Sequence, residues 1–326
     1  MKRLETELHL HLDGSLSTDV VKKLADMAGY DFAGQDVKKL LTVGAHCESL
    51  PDYLKCFELP GKLLQTEEAL ELAAYDLVKR LTEQGVLYAE IRFAPQLHKQ
   101  KGLSQEKAVE AVIRGVKRGT KTFPIHANVL LCAMVNGKDS ENEETIELAK
   151  AYHGKGAAGA DIAGPEGFVP MAHFEPLFRN AYQAGVPFTI HAGECGDYDN
   201  VAKAVSYGAK RIGHGCAAIK SEACMELLKK ERITLEMCVL SNLQTKAVDA
   251  IEAHPLKAFY DRGIRVTYNT DNMTVSDTSL GKEAELIKKH LGFTEDDLKQ
   301  MNRYAIEAAF IGEEEKSGLL EWLDEQ

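Results

Sequence analysis

The 326-residue chain has one tryptophan, no Cys-x-x-Cys pair, no basic cluster and no long apolar run. Each absence excludes something. A membrane-spanning helix needs about 18 or more consecutive apolar residues, so no membrane partner is expected. A nucleic-acid backbone is held by clustered lysine and arginine, and a formal net charge of −11 without such a cluster argues against that partner. The seven cysteines (Cys47, Cys56, Cys132, Cys195, Cys216, Cys224 and Cys238) are odd in number and read as reduced thiols, not as a disulfide frame. No apolar leader precedes the first strand, so no signal peptide is expected and the location reads as cytoplasmic. No low-complexity linker divides the chain, which predicts one domain over residues 1–326.

With 44% apolar and 27% charged residues, the composition is that of an ordinary globular protein. Its most informative stretch is Glu7-Leu8-His9-Leu10-His11-Leu12-Asp13-Gly14. The leucines alternate with polar residues at the period of a strand, which predicts that His9, His11 and Asp13 share one face. Imidazoles two apart on a strand converge on a nearby point, and a metal ion suits that point.

Further strands are predicted at 86–93, 125–134, 159–164, 188–191, 211–214, 233–238 and 264–270, with helices between them. Ser17, Thr66 and Ser104 read as helix starts, Gly85 as a helix stop, Ser140 with Glu143 as a capping box, and Thr294 with Asp297 as another cap. Glu90 and Arg92 share a strand face and are expected to form a buried pair. Eight uninterrupted strand–helix alternations predict an α/β fold, a (β/α)8 TIM barrel with added helices; a doubly wound open sheet is the alternative.

Catalytic groups of such barrels sit at the carboxyl ends of strands. Those ends carry His9 and His11, then His191, His214 and Asp271, with Glu194 three residues past His191. Barrel closure sets the first strand beside the eighth, so His9, His11, His191 and Asp271 can share one ion, for which zinc is suited. A two-metal design bridged by a modified lysine is disfavoured, because the fourth strand ends Asp161-Ile162-Ala163-Gly164 without lysine. Leu50, Tyr53, Leu54 and Phe57 fall on one helical face, which packs into the core or covers a site as an apolar lid.

The segments HLHLDGSL, HAGE, RIGHG, SNLQT and NTDN, with DIAGPE and SLPDYLKCF, resemble the signatures of the adenosine deaminase family, in the family's order. The resemblance implies zinc-dependent hydrolysis of the 6-amino group of adenosine or 2′-deoxyadenosine, a reaction of purine salvage, and one zinc per chain. It assigns His9, His11, His191 and Asp271 to the metal, and Glu194 to the acid that protonates purine N1. It gives His214 to the residue that orients and helps deprotonate the water at the metal. Gly164 corresponds to the backbone group at N3, Asp13 to the acceptor of the ribose 5′-hydroxyl, and Leu50, Tyr53, Leu54 and Phe57 to the lid. Asn272 stands where many relatives carry aspartate, at the purine N7; an amide can still donate there. Other 6-aminopurines, and a catalytically silent nucleoside-binding protein, are the competing readings. Oligomeric state is not legible.

Overall fold

The computed structural model describes residues 5–44, 47, 49–194 and 197–325. Eight parallel strands form the frame: β1 (Glu5–His11), β2 (Val86–Phe93), β3 (His126–Met134), β4 (Ala157–Ala163), β5 (Thr189–Ala192), β6 (Arg211–His214), β7 (Thr234–Met237) and β8 (Arg265–Tyr268). They pair in sequence order as two four-stranded sheets, β1 to β4 and β5 to β8. Two isolated parallel bridges join the sheets: Ala160 with Phe188, and Leu10 with Asp271. At the second seam the His11 amide donates to the Asp271 carbonyl at 2.8 Å and the Asp271 amide to the His9 carbonyl at 2.9 Å. The sheet therefore closes on itself as a barrel, and the open-sheet alternative falls away.

The alternation in β1 separates two buried faces, not an inner face from a wet one: every residue from Glu5 to Leu10 is buried. Leu10 joins the layer between barrel and helices, with Val20, Leu24 and Leu70, while His9 points inward. The helices start where the sequence indicates, with Ser17, Thr66 and Ser104 accepting from backbone amides as N-caps. Thr294 and Asp297 form a full capping box. At Ser140 the expectation fails. That helix (Asp139–Tyr152) starts two residues earlier, Lys138 is its N-cap without a side-chain cap, and Ser140 lies inside the first turn. Among the described residues, no helix is long and apolar enough to cross a membrane. No described cysteine is bonded to another; Cys195 lies outside the described residues.

Barrel interiors are commonly filled by branched aliphatic side chains. This one holds a charged lattice. Arg92 on β2 reaches Asp161 on β4 and Glu236 on β7, both at 2.7 Å. Arg211 on β6 reaches Glu236 at 2.7 Å and Glu90 on β2 at 2.5 Å. β6 and β7 are neighbours, but β2 is adjacent to none of β4, β6 and β7, so the contacts of Arg92 and Glu90 are made across the interior. Glu90 and Arg92 are both fully buried, as the sequence suggests, but they do not pair with each other. Residues two apart on a strand project in parallel, whereas the opposite charges of facing strands lie straight ahead. Burial would raise the Glu236 carboxyl, but Arg92 and Arg211 hold it well below the ordinary carboxylate range.

Removing one partner of such a lattice strands the others without compensation. Arg211→Met should therefore destabilise the fold by about 3–5 kcal/mol, read as a lower urea midpoint at unchanged slope. A loss under about 1 kcal/mol would show that Glu90 and Glu236 do not depend on it.

A candidate metal-centred active site

At the carboxyl ends of the strands lies a cavity of about 280 Å³. It is lined by His11, Asp13, His191, Glu194, His214, Asp271 and Asn272, and by Leu50, Tyr53, Leu54, Phe57 and Gly164. The structure thus brings the sequence-predicted residues into one place, with His9 just beneath them, fully buried. Among the described residues, donor atoms of His9, His191, His214 and Asp271 all lie within 4.8 Å of one another. His11 borders the same point: its Nε2 is 3.3 Å from His191 Nε2 and 3.4 Å from Asp271 Oδ1.

The tautomers follow from what holds each ring from behind. His9 Nδ1 is 2.8 Å from Glu236 Oε2, and His191 Nδ1 is 3.0 Å from Asp161 Oδ2. Both carboxylates only accept, so each Nδ1 carries the proton and each Nε2 presents a lone pair. His9 Nε2 is buried without a hydrogen-bond partner. A lone pair buried in this way is costly unless a cation meets it. Carboxylate-backed imidazoles converging with a carboxylate are the donor set that divalent ions take, so these residues fit a metal ion. Burial also holds the His11 imidazole well below its ordinary pKa, leaving it neutral.

Two residues lining the cavity sit in unusual backbone. His214 has φ 62° and Asp271 φ 57°, left-handed values for residues with a Cβ. Each costs on the order of 1–3 kcal/mol and persists where the surroundings over-determine it. For Asp271 the surroundings are the barrel seam and Ser241, whose hydroxyl donates to Oδ2 at 2.6 Å. Gly213 lets β6 approach the His9 ring, since a Cβ there would lie 2.9 Å from its Cε1.

Glu194 is buried at 7% exposure, and its Oε2 is 3.8 Å from His214 Nε2. Burial, and then the Asp271 charge, pushes its carboxyl up to about 7. Glu166 shapes the turn before it, accepting from the amides of Gly193 and Glu194 at 2.7 and 2.8 Å.

Two positions differ in detail from the sequence reading. Asp13 does not continue the strand: β1 ends at His11, and Asp13 opens a short 3-10 turn (Asp13–Ser15) at the cavity's edge. Burial lifts its carboxyl to about 6. The helix expected as an apolar lid (Leu50–Leu54) lines the cavity but is not wholly apolar, because the Tyr53 hydroxyl is 2.7 Å from Ser276 Oγ and anchors it to the chain after β8. Asn272 is buried, and its Oδ1 packs on Gly14 with no hydrogen-bond partner. A Cβ at Gly14 would come within 1.8 Å of that oxygen.

Sequence reasoning missed Glu236, Ser241, Asn242 and the support role of Asp161. A lone glutamate in the apolar run Ile233-Thr234-Leu235-Glu236-Met237-Cys238 was the available signal.

A sequence model of the family described as adenosine deaminase matches residues 5–326. The adenosine deaminase of Haemophilus ducreyi is 46% identical over 322 residues, 96% of this chain and 94% of that one. Among solved structures, the adenine deaminase of Arthrobacter aurescens superposes with a TM-score of 0.90 at 25% identity, covering 98% of each chain. An Arabidopsis protein crystallised with IMP superposes at 0.88 with 26% identity, covering 98% of this chain and 96% of that one. On the match along almost its whole length, this chain belongs to the adenosine deaminase family.

Proposed function

We propose that the chain hydrolyses the 6-amino group of adenosine and 2′-deoxyadenosine to give inosine or 2′-deoxyinosine and ammonia. The observation that carries the reading is the convergence of carboxylate-backed imidazole lone pairs on one point beside a buried, protonatable Glu194. The name carried by the Haemophilus ducreyi relative supports adenosine over other 6-aminopurines. Zinc is the proposed ion, one per chain, held by His9, His11, His191 and Asp271. When bound, zinc supplies an acidified water whose pKa falls to about 7.

The chain's own residues do the rest. Glu194, dry and protonated below about 7, donates to the purine N1 and makes the neighbouring C6 electrophilic. His214 faces the same point and orients the attacking water. The Asn272 amide is the donor to N7, held in place by the absence of a side chain on Gly14. Gly164 meets N3. Asp13 at the edge accepts the ribose 5′-hydroxyl, and Leu50, Tyr53, Leu54 and Phe57 exclude water from the covered purine.

The direct test is ultraviolet absorbance of purified protein with a panel of adenosine, 2′-deoxyadenosine, 5′-deoxyadenosine and adenine. Adenosine should exceed adenine in kcat/KM by about 10²-fold or more, because remote contacts hold the purine in register. A preference for adenine would overturn the nucleoside assignment. Elemental analysis should return one zinc per chain, lost together with activity on chelation at mildly acidic pH, where imidazole ligands protonate.

Glu194→Gln should retain zinc and lower kcat by at least ~10²-fold. In the parent protein, kcat/KM should fall as pH rises through about 7, because a carboxyl raised to that value is charged above it. A rate that stayed flat on that side would remove Glu194 as the acid.

Asp13→Ala should cost roughly 1.5–3 kcal/mol on adenosine and far less on 5′-deoxyadenosine, which lacks the hydroxyl. Equal losses would make Asp13 a support of the metal site. Gly14→Ala should displace Asn272 and lower kcat/KM on adenosine while leaving 7-deazaadenosine, which has no N7 acceptor, nearly unaffected.

A further inference from the structure

His214 is held from behind by an amide, where His9 and His191 are held by carboxylates. Asn242 Nδ2 lies 3.0 Å from His214 Nδ1. Which end of that amide faces His214 is settled by two neighbours on its other side. The Cys216 thiol donates to Asn242 Oδ1 at 3.3 Å. His254 Nε2 lies 3.2 Å from the same oxygen, and His254 Nδ1 accepts the Leu256 amide at 3.3 Å. A ring that accepts at Nδ1 and is neutral carries its proton on Nε2, so His254 donates to Asn242 Oδ1. Burial holds His254 neutral, with its pKa down at about 4. Turning the Asn242 amide over would set its NH₂ against the Nε2–H of His254, so that ring fixes the orientation of the amide.

From this chain of bonds we infer that Asn242 and His254 are positioning residues that keep the proton of His214 on Nε2, facing the reacting centre. With Nδ1 accepting from the amide, Nε2 has no lone pair to offer a metal or a proton. His214 then acts as a hydrogen-bond donor to the attacking oxygen and to the charge that develops there, and the proton of the water passes to the Asp271 carboxylate, whose Oδ1 faces the same point while Oδ2 accepts from Ser241. This replaces the part of the sequence-based expectation in which His214 deprotonates that water. The inference rests on the ligand set proposed above, with His11 and not His214 on the ion. The relay also runs through the helix Val239–Gln244, which carries Ser241 against Asp271 as well. Thr245, which ends it, lines the cavity beside Glu194. One short helix thus serves three of the groups around the cavity.

The test is tautomer assignment by nitrogen-15 NMR of imidazole-labelled protein, with and without zinc, joined to kinetics of two variants. In the parent protein, His214 should show a protonated Nε2 and an unprotonated Nδ1. In Asn242→Asp, one carboxylate oxygen still accepts from His254 while the other must take a proton from His214 Nδ1. The two nitrogens of His214 should then exchange character, and kcat should fall about 10²–10⁴-fold with zinc content and KM nearly unchanged. His254→Phe frees the amide to turn and should lower kcat, whereas His254→Gln, whose side chain can donate to Oδ1, should recover most of it. A protonated Nδ1 on His214 in the parent protein would overturn the relay whatever the variants do. Full turnover by Asn242→Asp with exchanged nitrogens would overturn the need for a donor. Loss of zinc from His214→Ala, with the parent tautomer as expected, would instead overturn the ligand set.

Discussion

The Arg92 guanidinium, fully buried between Asp161 and Glu236, is the interaction on which the site depends. Those two carboxylates are the groups that back His191 and His9. Two carboxylates in the interior of a barrel would take up protons if nothing opposed it, because desolvation disfavours charge. The His191 ring and then Arg92 keep Asp161 ionised, and Arg92 and then Arg211 keep Glu236 so. Ionised, they can only accept, so they draw the imidazole protons backward and leave the front nitrogens bare. The charge state of the barrel floor therefore sets the donor character of its mouth.

That floor also explains why so polar an interior is tolerated. Each charge in it has more than one partner: Arg92 also donates to the Leu8 carbonyl, and Glu90 also accepts from the Tyr88 hydroxyl and the Phe310 amide. A buried ion pair left half satisfied is a liability, but a lattice in which each charged group meets several partners holds one arrangement against others. Such an arrangement suits a site whose ligands must meet at a point.

Much of this was legible in the sequence because the informative residues are chemically rare where they stand. Histidines on an apolar strand, a glutamate after Ala192-Gly193, and glycine–histidine–glycine at the end of a strand all break local hydrophobic logic, and each lies at the cavity. Helix starts were legible for a similar reason, since Ser17, Thr66 and Ser104 cap through their own side chains. Partnership across the barrel was not legible. Glu90 and Arg92 look like a pair along the strand, and only closure reveals that their partners stand on β4, β6 and β7. Asn242 and His254 escaped for the same reason, because their meaning lies in which atom faces which neighbour. The end of β1 at His11 was missed because alternation continues through Leu12 and Asp13 after the backbone has left the strand.

The seams of the barrel carry one more consequence. The sheet is two halves stitched by isolated bridges, and one stitch is the backbone of Asp271 against β1. His9 and His11 come from the first half, and His191, His214 and Asp271 from the second. A slip of one residue along that seam would turn each side chain of β1 to the opposite face. The distance between the halves of the reaction centre is therefore gauged by main-chain hydrogen bonds, and Asp271 belongs to the gauge and to the centre alike. The dimension that matters to the chemistry is thereby locked to the pitch of the sheet.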